Sequence, residues 1–351
     1  MLRLRTPATG LARAAVAGLA GVVVLGAAGG GGAAQSRGVG GAVAVLELGD
    51  SLGSVTAGWG DAWVNDRWTR RVLRVDGRAG RVEARVPVGG RVSLGRGAGA
   101  MWAVASGGGY GRALNGPLLE IEPLTNRVTA RIALRTPGGE PVVAFGVTGA
   151  AGAVWAWGPQ DLLRIDPRRD RVDRAVGVYE EFGELTGVVA ADGWLLATTA
   201  GGQLVRYDAH TGAELGSVTL AREDLRSARR AGTQPVVRGR SGVRALVAAG
   251  EDLLAVDVAS GRVAWRRELG FRVGTVLERG GALWVQGART EDAGDRVWVL
   301  DPATGAVRGS AQLPAFGTNG MAAIGDALWV SAANGRLLVL PAWLPRWLGA
   351  V

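Results

Sequence analysis

The stretch Leu254-Ala255-Val256-Asp257-Val258-Ala259-Ser260-Gly261-Arg262-Val263-Ala264-Trp265 sets an aspartate and, four positions later, a glycine between two short β-like runs. The same pattern, an acidic residue followed at the fourth position by Gly, Asn or Asp, recurs at Asp76/Gly80, Glu122/Asn126, Asp166/Asp170, Asp208/Gly212 and Asp301/Gly305. Those three residue types enter left-handed backbone geometry with the least strain, so one tight hairpin is being built repeatedly. Successive turns stand 46, 44, 42, 49 and 44 residues apart. A period near 45 with four short strands per unit points to a β-propeller.

Each unit reads as strand A, a glycine-rich turn, strand B, a variable loop, strand C, the acidic turn and strand D. Strand B carries a second marker: Gly60-Asp61-Ala62-Trp63-Val64, Gly99-Ala100-Met101-Trp102, Gly152-Ala153-Val154-Trp155, Gly281-Ala282-Leu283-Trp284-Val285 and Asp326-Ala327-Leu328-Trp329-Val330. Leu196 and Leu246 take the Trp place in two weaker copies. Seven such markers against six acidic turns leave the last unit without a turn or a strand D, while a β-like run at 43–48 stands unassigned before the first unit. The expected fold is therefore all-β, a seven-bladed β-propeller over residues 42–351, its ring closed by the N-terminal strand 43–48 completing the last blade. Joining ends some 290 residues apart costs roughly 5 kcal/mol. Burying Val43, Val45, Leu46 and Leu48 contributes about 1.5–3 kcal/mol each, so closure is favoured. The repeated Trp and Leu of strand B read as packing between blades.

Composition supports one large domain. The 351 residues are 48% apolar, and the 59 glycines fall at regular turn positions instead of in one block. There is no cysteine, hence no disulfide framework and no thiolate chemistry. The net charge of +9 rests on 40 basic residues, every one an arginine. They are spread through nearly all units with no aromatic-interleaved stripe, which argues against nucleic acid as the partner.

The first 36 residues stand outside the repeat. Arg3, Arg5 and Arg13 precede an apolar stretch at 14–28, then Gly29 to Gly32 and Ala33-Ala34-Gln35. That order describes a secretory signal peptide, with cleavage after Ala34; an uncleaved N-terminal anchor is the alternative. Either places the propeller outside the cytoplasm, secreted or associated with the cell envelope. Without cysteine a lipoprotein is excluded, and no twin-Arg pair precedes the apolar stretch to mark a folded-export route.

In a propeller, A–B and C–D turns share one face, and B–C and D–A loops share the other. The long segments, 106–117, 136–141, 177–186, 221–235, 287–296 and 314–320, all fall in B–C or D–A positions. Variable loops on a rigid scaffold are where binding resides. The candidate ligand- or partner-binding residues are Trp68, Tyr110, Arg112, Asn115, Gln160, Tyr179, Glu180, Glu181, Phe182, Glu184, Gln234, Glu291, Asp292, Phe316 and Asn319. Glu180, Glu181 and Glu184 could ligate a hard cation such as Ca²⁺; a solvated acidic loop is the simpler reading, and no metal or cofactor is expected. Arg222, Arg226, Arg229 and Arg230 could hold an anionic partner or pair locally with Glu223 and Asp224. Trp343 and Trp347 in the C-terminal tail offer either a membrane-surface contact or a fold-back onto the last blade.

Catalysis has few means. The single histidine, His210, lies inside an acidic turn, on the face opposite the long loops. Without a second histidine or a cysteine, the common general bases, nucleophile pairs and zinc sites are absent.

The stretch at 254–265 closely resembles the repeat of quinoprotein (PQQ-type) propellers. Val299-Leu300-Asp301-Pro302-Ala303-Thr304-Gly305-Ala306-Val307 and residues 207–215 look like the shorter YVTN-type repeat. The resemblance spans about residues 42–340 and implies the fold more than an activity. Quinoprotein dehydrogenases have eight blades and often an adjacent cysteine pair, both missing here. Streptogramin (virginiamycin B) lyases are similar seven-bladed proteins that rely on a central histidine, which His210 does not supply. The expectation is an exported, monomeric, non-catalytic binding or scaffold protein recognising a protein or cell-envelope ligand. A lactonase- or lyase-like enzyme using carboxylate and arginine chemistry at the channel mouth is the alternative.

Overall fold

The computed structural model describes residues 36–39, 43–105, 116–178, 183–191, 193–220, 232–239, 242–288, 295–315 and 317–341. Among these residues the chain forms only β-strands, in six four-stranded sheets and one five-stranded sheet. Every sheet is an antiparallel blade. The first six run through residues 52–87, 92–132, 146–177, 185–219, 232–268 and 272–312 in chain order. The innermost strand of each blade packs beside those of both neighbours, and the ring closes where β27 (Thr318–Ile324) meets β3 (Leu52–Gly58).

Closure takes the expected form. Strand β2 (Val43–Glu47) pairs antiparallel with β29 (Arg336–Pro341), matching Ala44 with Val339 and Leu46 with Leu337. It thereby becomes the fourth strand of blade 7, outside β29, with β28 (Ala327–Ala332) and β27 further in. Alternation along β2 then serves both neighbours. Val45 joins the cluster between blades 6 and 7, and Leu46 joins the one between blades 7 and 1. One further strand, β1 (Ser36–Val39), pairs with β2 on its outer side. With a single β-branched residue in four, Ser36-Arg37-Gly38-Val39 shows no alternation from which a strand would be read.

The core is a ring of seven apolar clusters, one in each joint between blades. Each contains one strand-B marker residue: Trp63, Trp102, Trp155, Leu196, Leu246, Trp284 and Trp329 in chain order, all at most 1% exposed. Packing between blades is thus their role. The indole N–H of Trp63, Trp102 and Trp284 donates to the carbonyl five residues back, Gly58 O, Gly97 O and Arg279 O, at 3.3, 2.9 and 3.2 Å.

The six acidic turns share one geometry. Gly80, Asn126, Asp170, Gly212, Gly261 and Gly305 all have positive φ, between 50° and 72°. The carboxylate at the turn's start accepts from the main chain two or three residues on, as when Asp208 Oδ1 receives His210 N at 2.9 Å and Thr211 N at 2.7 Å. In all six hairpins the C–D register shifts at the same place, just before the turn. The turns also lock neighbouring blades together. Trp155 Nε1 of blade 3 donates to Ala209 O of blade 4 at 3.1 Å, and Trp265 Nε1 of blade 5 to Pro302 O of blade 6 at 3.1 Å.

Candidate functional site

Antiparallel pairing sends the connections to two faces. One carries the A–B turns, such as Trp59-Gly60, Ala98-Gly99, Ala151-Gly152 and Gly280-Gly281, whose central residues all have positive φ, together with the six acidic turns. The other carries the B–C and D–A connections, and the longest among the described residues, 133–145 between blades 2 and 3, is one of them. The B–C/D–A rim therefore faces one way, on a scaffold whose blades are fixed on both sides.

Four candidates read from the sequence have described side chains, and the structure does not gather them into one cluster. Trp68 sits in the B–C turn of blade 1 and is 73% exposed. Its position is set by Asp66, only 2% exposed, which accepts from Trp68 N at 3.0 Å, Thr69 N at 3.1 Å and Thr69 Oγ1 at 2.6 Å. Gln160 lies exposed in the B–C turn of blade 3, where its carbonyl accepts from Val178 N at 2.8 Å. Glu184 is exposed in the D–A loop before blade 4. Asn319 is half-buried on the innermost strand of blade 7 and donates Nδ2 to Leu52 O of blade 1 at 2.8 Å, so its amide clamps the closing joint. Gln234 lies on β19 (Gly232–Gly239), of which only the backbone is described. Tyr110, Arg112, Asn115, Tyr179, Glu180, Glu181, Phe182, Glu291, Asp292 and Phe316 lie outside the described residues, as do Arg222, Arg226, Arg229, Arg230, Trp343 and Trp347.

The electrostatics of this face come in patches. Beside Trp68, Arg67 is held below the usual arginine value by burial and by the like charge of Arg91. On the blade 2–3 side, burial and the neighbouring Glu140 raise the Asp161 carboxyl above its ordinary range. A basic spot with an exposed indole thus stands apart from an acidic one. Among the described residues no group of three or more His, Asp and Glu side chains is placed to share a metal ion.

The opposite face holds features that the sequence reading missed. A cleft of about 370 Å³ is lined by Trp59, Arg96 and the glycines and alanines of 97–99 and 149–153. Trp59 is 39% exposed at a φ of 55°. Left-handed geometry costs a non-glycine residue about 1–2 kcal/mol, so the indole is displayed against a backbone penalty. A Trp directly before the Gly of an A–B turn was the available signal. A second cavity, of about 200 Å³, lies between blades 4 and 5. His210 is exposed on this same face.

Comparison with curated proteins gives no match. Solved structures share the architecture. A chain of a mitotic checkpoint complex aligns with a TM-score of 0.65 and 12% identity, over 85% of this chain and 93% of that one. The computationally designed Ika8 protein gives 0.58 and 10%, over 88% and 93%. BamB from Moraxella catarrhalis gives 0.55 and 14%, over 86% and 89%. At such identities the likeness is one of fold. Sequence goes further: the profile of the family described as outer membrane protein assembly factor BamB matches residues 152–339, more than half of the chain. The chain belongs to this family of PQQ-like β-propeller repeat proteins.

Proposed function

We propose that this protein is an exported, non-catalytic propeller that binds a protein or cell-envelope partner through its B–C/D–A face. The observation that carries the reading is the sorting of connections: among the described residues the longest, 133–145, lies on the B–C/D–A face, and the other face is made of tight turns. A rigid ring with variability confined to one rim suits recognition. Membership in a family described by an outer-membrane assembly factor supports an extracytoplasmic setting and a protein partner. A similar ring in a mitotic checkpoint complex supports the use of this fold in protein assembly. The basic N-terminus and apolar stretch at 14–28 fit export.

Within that face, exposed Trp68 between Arg67 and Arg70 is the contact we assign first. Aromatic and arginine side chains dominate the binding energy of protein interfaces. Glu184, Gln160 and the loops carrying Tyr110, Arg112, Tyr179, Glu181, Phe182, Gln234, Asp292 and Phe316 would complete it, with Asn319 holding the scaffold. Trp343 and Trp347 would add a peripheral membrane contact to a monomeric protein. The test is capture from solubilised cell envelope by the whole protein, by Trp68→Ala, and by a variant with loop 221–235 shortened. Loss of the captured partners with either change supports the assignment; an unchanged set with both overturns it.

A further inference from the structure

The C–D hairpins of six blades pair in one register, so equivalent positions can be compared directly. Opposite one another stand Arg74 and Ala84 in blade 1, Arg164 and Arg174 in blade 3, Arg206 and Gly216 in blade 4, and Ala255 and Trp265 in blade 5. In blades 1, 4 and 5 this position bonds to the acidic turn of the next blade. Blade 5 fills it with Trp265, 8% exposed, whose ring lies over Gly305: a Cβ there would come within 2.6 Å of it. Blade 1 fills it with Arg74, which pairs with Asp61 at 2.7 Å and reaches Asn126 Oδ1 at 3.1 Å.

Blade 4 does neither. Gly216 supplies no side chain and takes a φ of 139°, a conformation for glycine alone; a Cβ there would meet nothing within 4 Å. Arg206 has no carboxylate partner among the described residues, because Trp194 stands where blade 1 has Asp61. The guanidinium instead lies over the Trp194 ring, 5.0 Å from its centroid, with one long hydrogen bond of 3.4 Å to Val258 O. Its Nε is buried and makes no hydrogen bond. The result is the cavity of about 200 Å³, with Leu196, Leu204, Val218 and Val258 as its apolar lining and Arg206 at the edge.

Val218 covers Gly261 as Trp265 covers Gly305, so the open space lies beside Gly216. We infer that this cavity binds a small aromatic monocarboxylate, its ring beside Gly216 and Val218 and its carboxylate on Arg206. The volume lies below the roughly 300–1,000 Å³ of sites for drug-sized ligands, which suits a single indole- or phenyl-sized group. An arginine already oriented by a ring face and without a carboxylate partner among the described residues is prepared to offer its terminal N–H groups to a carboxylate. Asp257 also lines the cavity, its Oδ1 taken by Ser260 N and Oγ at 2.7 Å each. Its negative charge opposes a second one on the ligand and so selects monoacids. The site lies away from the long-loop face and stands whether or not that face recognises a partner.

Calorimetric titration of the whole protein with indole-3-acetate, indole, acetate and phenylmalonate tests this directly. Saturable binding of one indole-3-acetate per chain is expected, roughly 10-fold or more tighter than any of the other three. Arg206→Met should reduce indole-3-acetate to the level of indole. Val218→Trp, which fills the cavity and leaves Arg206 in place, should abolish binding of both ring compounds while thermal unfolding stays cooperative. Absence of saturable indole-3-acetate binding, equal binding of phenylmalonate, or binding undiminished in Val218→Trp would overturn the inference.

Discussion

Replacing Leu46 with alanine tests the joint by which the ring closes. Leu46 is 2% exposed and packs with Leu52, Val55, Val64 and Leu73 of blade 1 and with Trp329 and Leu337 of blade 7. The acidic turn of blade 1 rests on it, since a Cβ at Gly80 would lie 3.5 Å from Leu46 Cδ2. Truncating a buried leucine removes its transfer free energy and leaves a cavity, together about 2–5 kcal/mol. Both walls of this cavity are strands held in ladders, so they collapse poorly and the loss should fall in the upper half of that range. Bringing the chain ends together costs roughly 5 kcal/mol, so this one side chain offsets much of the cost of closure. The assay is thermal and urea unfolding of the full chain, with Leu124→Ala as control. Leu124 is 88% exposed in the blade 2 turn, and its loss should stay within about 0.5 kcal/mol. At about 2 °C per kcal/mol, the figure for large domains, Leu46→Ala should lower Tm by roughly 7–10 °C. Equal Tm values for the two variants would refute the reasoning.

The acidic turns make stability depend on pH with a definite sign. Main-chain hydrogen bonds hold Asp76, Glu122, Asp208 and Asp257 below their ordinary values, and the Arg308 side chain does most of this for Asp301. A depressed carboxylate contributes stability that is complete above its ordinary range and is lost as pH falls through the lowered native value. The Tm difference between Asp257→Ala and the unaltered protein should therefore shrink as pH is brought from 7 towards 2, and a constant difference would contradict the role. Buried and exposed tryptophans should differ in what their removal costs. Trp102→Ala, at a fully buried site, should lose about 3–5 kcal/mol in urea unfolding. Trp68→Ala should stay within about 0.5 kcal/mol, and comparable losses for the two would erase the distinction.

The repeat was legible because each blade uses the same local chemistry. A left-handed position four residues after a carboxylate can be filled by few residue types, so Asp76/Gly80 and its five relatives declare themselves in the sequence. The closing strand was legible because Val43 to Leu48 is apolar and otherwise unassigned. Strand β1 was not, since four mixed residues become a strand only through the neighbour they pair with. The site was read at the level of a face and less well at the level of residues. Asn319 looked free for a ligand, yet its amide bridges to Leu52 O, a contact 267 residues away that no local pattern announces. Nothing in the local sequence marks Asp66, yet it builds the turn that presents Trp68. The cavity beside Arg206 arises from a difference between blades, Gly216 against Trp265 and Trp194 against Asp61, and becomes visible only once the register is known.

Hydroxyl-radical footprinting of the whole protein, with and without solubilised cell envelope, tests most directly which face performs recognition. The account predicts protection of Trp68 and of the long-loop segments on its face, with Leu124 and His210 on the turn face reacting as before. Protection of Leu124 and His210 with Trp68 unchanged would contradict it.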